Sequence, residues 1–323
     1  MDFQKLISHC KQFGGLKLVW QYTKLGALWP AVRMGTRCLV TGRSFKAIYP
    51  EVLRKVEPQL EAKYAPLIRT SRIKYLEAKL EHKRSKIIWL CWLQGYENAP
   101  EMVKVCCASI RKHLPGYEIK WIDNNNWREF VQLPGYVVRK WEQGRIPAAN
   151  FSDLLRLELL VRYGGTWMDS TVLCTGETSK GLPLSAYLDT DLFVFQYSKP
   201  GDEEINISNW FISACTNNEV LMVLRDMLLA YWRDYDCTVD YYIFHLFLSL
   251  VAKEFPEQIA AMPYGSSQRS IALMRHWGEP FDQEKWDRLV SRVGFHKLSY
   301  RVDRSVMEDK ENYYHWILKQ NKG

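Results

Sequence analysis

The 323-residue chain has no apolar run of the roughly 20 residues needed to cross a bilayer. Its nearest approach, Tyr241–Ala252, is too short and reads as a buried helix. Its eight cysteines include no Cys-x-x-Cys pair, which argues against a zinc site, a redox motif or a disulfide framework. Several stand in apolar runs, as Cys91 does within Ile87–Leu93, and read as reduced thiols of a cytosolic protein. The N-terminus, Met1–Lys5, lacks the charged start, apolar middle and small-residue cleavage site of a secretion signal. Neither an internal repeat nor a low-complexity block occurs, and 47% apolar content excludes wholesale disorder.

What is present is unevenly spread. Residues 1–86 hold 18 basic against 6 acidic side chains, net +12, and the remainder holds 26 against 30, net −4. The surplus of +8 therefore belongs to the N-terminal quarter. That quarter reads as helical, with Leu16–Trp29 mixing apolar, aromatic and lysine positions as an interfacial helix does. A second helical stretch runs from Pro50 to Lys83, with Tyr75, Leu76 and Leu80 as a narrow apolar stripe. Such a basic segment suits an anionic membrane surface or another polyanion, or is simply a solvated set of helices. No nucleic-acid-binding motif accompanies it, so no nucleic-acid partner is expected. Thirteen Trp and eighteen Tyr supply faces for sugar or base stacking, although most will serve packing.

From Lys86 the period changes. Lys86–Trp92 is a continuous apolar run, Pro100–Leu114 a helix, and Tyr117–Asp123 a second strand. Leu192–Tyr197, Asn209–Ser213 and Gly294–Tyr300 read as further strands, Glu219–Tyr235 and Tyr241–Glu254 as helices. This alternation predicts an α/β fold, with an extension over 1–85 and a main domain over 86–323. Ligands in such sheets bind beyond the carboxyl ends of the strands, where Gln94, Gly95, Asp123 and Asp169 are expected to converge.

The densest stretch is Phe151–Val172. Leu154, Leu155, Leu157, Leu159, Leu160 and Val161 give an apolar helix, with Ser152 or Asp153 as its cap and Gly164-Gly165 as its stop. A strand follows over Thr166–Val172 with Asp169 in its middle. A carboxylate there is costly unless it meets a cation, a donor or a ligand.

Lys86–Pro100, Gly144–Pro147, Phe151–Arg156 and Tyr163–Val172 together resemble the capsular polysaccharide synthesis proteins, bacterial sugar transferases with a GT-A-like nucleotide-sugar fold. More distantly the pattern is similar to the Asp-x-Asp mannosyl- and galactosyltransferases and the glucosylating clostridial toxins. The resemblance covers about Lys86 to Tyr300. It implies a mixed, Rossmann-like sheet flanked by helices and a hexosyltransferase that uses a nucleotide diphospho-sugar donor. The resemblance implies transfer to an acceptor hydroxyl with retention of configuration; joined to the basic, aromatic N-terminal segment, it points to a surface glycan on a lipid-linked acceptor at the inner face of the cytoplasmic membrane. Donor contacts are expected at Gln94, Asp153, Arg156, Gly165, Asp169 and Ser170; Trp92, placed after the first strand, either stacks on the nucleotide base or packs in the core. Asp169 matches the first carboxylate of Asp-x-Asp, but Thr171 stands at the second, so the literal motif is broken. Mn²⁺ or Mg²⁺ is the implied cofactor, with Asp169 and His296 as ligands.

Competing accounts accompany these residues. Asp153 and Arg156, one turn apart, also suit a plain ion pair. Lys297, next to His296, is a candidate phosphate contact. Asp240 is either a helix cap or an acid–base residue near the acceptor, and His245 reads as a core histidine. The literal Asp189-Thr190-Asp191 lacks the Gly-Gly context and reads as two exposed turn carboxylates. A non-catalytic nucleotide-sugar or carbohydrate-binding protein is the alternative to the enzyme.

Overall fold

A computed structural model describes residues 15–198, 207–240 and 242–320. The opening Met1–Lys5 stretch, Cys10 and Tyr241 lie outside the described residues. The chain forms two compact units: Met1–Lys79 with Gln132–Leu154 and Met222–Glu254, and Leu80–Val131 with Leu155–Leu221 and Phe255–Gly323. The chain passes from the first unit to the second at Lys79–Leu80, whereas the extension expected from sequence ran to residue 85. The N-terminal segment, however, shares its unit with two later segments rather than standing as an extension.

The first unit is helical. The basic N-terminal stretch folds as Leu16–Lys24, Leu28–Thr41 and Ile48–Ala78. Gly26, at φ 59°, takes the left-handed turn between the first two, so the expected single interfacial helix is broken. Along the third helix Val52, Val56, Leu60, Tyr64, Ile68, Ser71 and Tyr75 are all buried, an almost unbroken i, i+4 stripe. Leu76 and Leu80, expected to share it with Tyr75, are exposed instead. Burial of the polar atoms on this stripe is offset by carboxylates of the helix Glu219–Asp234. Tyr64 Oη donates to Asp234 at 3.1 Å, and Ser71 Oγ and Tyr75 Oη donate to Asp226 at 3.0 and 2.7 Å. Tyr22 Oη donates to the Val239 carbonyl at 3.1 Å, tying the first helix to the same unit.

The second unit holds every strand among the described residues: β1 Ile87–Cys91, β2 Glu118–Ile122, β3 Gly165–Met168, β4 Val172–Cys174, β5 Leu192–Gln196, β6 Ile207–Ala214, β7 Gly265–Ser266 and β8 Phe295–Lys297. Six of them make a mixed sheet in the order β2-β1-β3-β6-β5-β7. β1 runs parallel to both β2 and β3, β6 runs antiparallel to β3 and β5, and β7 runs parallel to β5. β4 and β8 pair antiparallel in a separate two-stranded sheet. An aromatic cluster of Tyr187, Phe193, Phe195, Trp210, Phe211 and Phe295 packs the unit, with edge-on and stacked rings.

The stretch expected as one strand is therefore two. β3 ends at Met168, and the Asp169 N–H donates to the Trp210 carbonyl at 2.8 Å as the last rung toward β6. The Val172 N–H then donates to the Asp169 carbonyl at 2.9 Å, closing a tight turn, and the chain leaves for the second sheet. There the Leu298 N–H donates to the Thr171 carbonyl at 2.9 Å. Gly165 opens β3 at φ 92°, and a Cβ on it would collide with the Ile87 carbonyl of β1. Its role is close backbone approach.

Candidate active site

Because β1, β2 and β3 are parallel neighbours, their carboxyl ends share one edge of the sheet. Trp92, Asp123 and Asp169 each follow one of these ends. The thiol of Cys91, at the end of β1, is pushed up to about 12 by burial; Asp169 and Asp123 add to the shift and Arg156 opposes it. The charges of both carboxylates and of the guanidinium thus reach Cys91 at the end of β1.

Asp169 is the centre of the arrangement. Its Oδ1 accepts from Trp167 Nε1 at 3.2 Å and faces Arg156 Nη2 at 3.5 Å. Its Oδ2 lies 3.3 Å from Lys297 Nζ. Arg156 is nearly fully buried; its Nη1 donates to the Asn209 carbonyl at 2.6 Å and its guanidinium lies 4.8 Å from the Trp167 ring centre. Lys297 Nζ also donates to Thr171 Oγ1 at 2.6 Å and to the Leu298 carbonyl at 3.2 Å. The carboxylate keeps 30% side-chain exposure, enough to meet a ligand.

The helix carrying Arg156 runs Ala148–Tyr163, so Ser152 and Asp153 lie inside it and neither caps it. The Ser152 hydroxyl donates back to the Ala149 carbonyl. Asp153 is a buried residue of the first unit, whereas the Asp169 cluster is built within the second unit alone. Ser170, in the turn after Asp169, is buried. Asp240 also belongs to the first unit; it is buried, its Oδ1 accepts from the Tyr242 N–H at 2.6 Å, and burial pushes its carboxyl up to about 6. Its carbonyl accepts from the Ile243 N–H at 3.4 Å, at the start of the helix Ile243–Lys253. Asp189 and Asp191 are exposed and paired with Tyr117 Oη and Arg84 respectively, as turn carboxylates should be.

His296 does not join Asp169. Successive residues of β8 face opposite ways, and it is Lys297 that turns to Asp169. His296 is fully buried, with Nε2 3.2 Å from Thr175 Oγ1, and desolvation lowers its imidazole to about 4. Among the described residues no cluster of three or more His, Cys, Asp or Glu stands ready to hold a metal. Mn²⁺ or Mg²⁺ wants several oxygen ligands. The strand tip offers one carboxylate already facing two cations, with the hydroxyl of Thr171 bonded to Lys297 where a second carboxylate would stand. This donor set does not fit a dication.

Past the carboxyl ends of β1 and β2 lies a cavity of about 490 Å³, lined by Gln94, Gly95, Tyr96, Arg111, Trp121 and Asp123 among others. Tyr96 meets Trp121 edge-on at 5.0 Å, and the Arg111 guanidinium is 5.7 Å from the Tyr96 ring centre. Asp123 is shaped by its own turn, Oδ1 accepting from the Asn125 N–H at 2.7 Å and the Asn126 N–H at 3.2 Å. Trp92 meets Tyr300 edge-on at 5.0 Å. Sequence reasoning did not single out Trp167, Arg111 or Trp121. Trp167 alone had a readable signal, standing two positions before Asp169 and so on the same strand face.

A parallel strand edge with an acidic tip, in a unit that also holds an aromatic-walled cavity, is where α/β folds commonly place a ligand. Residues 40–317 match the family described as capsular polysaccharide synthesis protein, and the chain belongs to that family. The match begins well before Lys86, so much of the N-terminal helical segment is part of the family's pattern. The chain is 26% identical over 164 residues to the O-glycosyltransferase PaGT of Phomopsis amygdali. That match covers 46% of this chain and 39% of the relative, so the chain spans about two fifths of that relative's length. Among solved structures it is similar to one described as PaToxG Glycosyltransferase, at 14% identity and TM-score 0.39, covering 82% of this chain and 95% of that one. No helix among the described residues is long and apolar enough to cross a membrane.

Proposed function

We propose that this protein is a glycosyltransferase that moves a hexose from a nucleotide diphospho-sugar to a hydroxyl of a surface glycan. The carrying observation is Asp169 at the tip of β3, braced by Arg156, Trp167 and Lys297 on the strand edge that the cavity also borders. In this reading the cavity takes the nucleoside, with Tyr96 and Trp121 supplying ring faces and Asp123 accepting from ribose or base. Arg156 orients Asp169, whose exposed side accepts a hydrogen bond from a donor-sugar hydroxyl. Retention of configuration goes with this reading, as the resemblance to the Asp-x-Asp transferases implies.

The acceptor is proposed to be lipid-linked, and the enzyme to work on the cytoplasmic membrane face. Trp20 and Trp29 are 61% and 73% exposed, on helices that also present Lys17, Lys24, Arg33 and Arg37 to solvent. Aromatic rings among lysines and arginines suit the interface of an anionic bilayer.

Incubating the protein with a panel of nucleotide sugars and following nucleoside diphosphate release tests the activity. Release by the wild type and its loss in Asp169→Ala, with the circular dichroism spectrum retained, is the expected result. Equal release by both proteins sinks the assigned site. Thermal stabilisation by nucleotide sugars with no turnover of any would favour the second reading, a non-catalytic binding protein. The broken Asp-x-Asp, with Thr171 at its second position, motivates that alternative.

A further inference from the structure

Lys297 is bonded to both residues that correspond to the ends of the Asp-x-Asp motif, Asp169 and Thr171, at 3.3 and 2.6 Å. We propose that the Lys297 ammonium is the resident cation of the donor site, taking the diphosphate charge that a divalent metal takes where two carboxylates are present. The inference rests on the glycosyltransferase reading and names the group that handles its leaving group.

Four observations carry it. A neutral hydroxyl at position 171 accepts a hydrogen bond from an ammonium readily, whereas a dication gains most from a second carboxylate there. With Arg156 and Lys297 both facing Asp169, the three side chains sum to one positive charge, which complements an anion. The ammonium is fixed by the Leu298 carbonyl as well, at 3.2 Å, while 22% of the side chain stays exposed and able to meet a ligand. Finally, β8 brings Lys297 to the strand tip through its pairing with β4, the register setting Lys297 opposite Val172, directly after Thr171.

The chemistry balances without a co-reactant. The bond between the sugar C1 and the β-phosphate oxygen breaks, and its electron pair goes to that oxygen. The acceptor hydroxyl oxygen bonds to C1, and its proton passes to the departing phosphate oxygen. Lys297 donates hydrogen bonds to the phosphate throughout and keeps its own proton, so it stabilises the charge that develops on the leaving group.

The test uses the full chain dialysed against EDTA, with inorganic pyrophosphate as the probe in calorimetric titrations with and without Mn²⁺. The wild type is expected to bind pyrophosphate without Mn²⁺, Lys297→Met to bind at least roughly tenfold more weakly, and Lys297→Arg to keep most of the affinity. The double variant Lys297→Met with Thr171→Asp restores the two-carboxylate arrangement and is expected to bind only when Mn²⁺ is added. Metal-free binding unchanged in Lys297→Met, or wild-type binding that appears only with Mn²⁺, overturns the proposal. Because pyrophosphate carries no sugar, these outcomes are independent of turnover. Pyrophosphate binding without release from any nucleotide sugar would defeat the enzyme reading and leave the anion site standing.

Discussion

The indole N–H of Trp167 and the carboxylate of Asp169, two positions apart on one strand, are joined at 3.2 Å. The same ring carries the Arg156 guanidinium 4.8 Å from its centre. One tryptophan thus steadies both members of the ion pair. Trp167→Phe keeps an aromatic face and removes the donor. Unfolding by denaturant should show a loss of about 1 kcal/mol, the net worth of one hydrogen bond. Donor affinity should fall as Asp169 gains freedom, and an unchanged donor KM would show that the indole bond does not position the carboxylate.

His296 sets an acid limit on stability. Its imidazole titrates near 4 in the folded chain against 6.5 when free, so between those values the unfolded chain binds the extra proton. Stability from this residue is complete above pH 6.5 and is lost as pH falls, by roughly 3 kcal/mol at pH 4. His296→Gln, which can still meet Thr175, should flatten the melting temperature over this range relative to wild type. Parallel curves for the two proteins would refute the assignment.

Asp240 acts with the opposite sign. With its carboxyl raised to about 6 from 3.8, the folded chain holds a proton that the unfolded chain has lost between those values. Stability therefore declines as pH rises through the window, and the cost persists above pH 6. Asp240→Asn keeps the acceptor for the Tyr242 N–H and has nothing to ionise. It should be more stable than wild type at pH 7.5, by about 1–2 kcal/mol, and lose transfer if the residue serves the acceptor. A gain in stability with full transfer would confine Asp240 to a structural role.

Gly165→Ala should damage the fold before it damages any ligand contact. A methyl group there meets the Ile87 carbonyl, at a φ of 92° that residues with a side chain rarely adopt. A loss of several kcal/mol is expected, about 3 or more, measured as a fall in melting temperature without ligand. A variant that melts like wild type but binds no donor would return Gly165 to the donor site.

Much of the second unit was legible because its strands announce themselves. Ile87–Cys91 and Glu118–Ile122 fall inside the predicted runs, and Glu101–His113 begins where Pro100 permits. The break at Asp169 was not legible. Apolar residues continue on both sides of it, and only hydrogen bonds to Trp210 and Leu298, far along the chain, divide the run between two sheets. Apart from Tyr75 the stripe on Ile48–Ala78 was missed, in part because Tyr64 and Ser71 look polar until their hydroxyls find Asp234 and Asp226. Lys297 and His296 could not be ranked from sequence, since which of two neighbours faces the tip depends on a strand pairing that only the fold supplies.

That pairing has a consequence for how the protein is cut or fused. Among the described residues β4 pairs with β8 alone, so the path of the chain after β3 depends on a strand more than a hundred positions downstream. A chain shortened before Phe295 would keep all six strands of the larger sheet and still lose the Lys297 ammonium beside Asp169. Split halves, conversely, should regain it only when the late strand is returned.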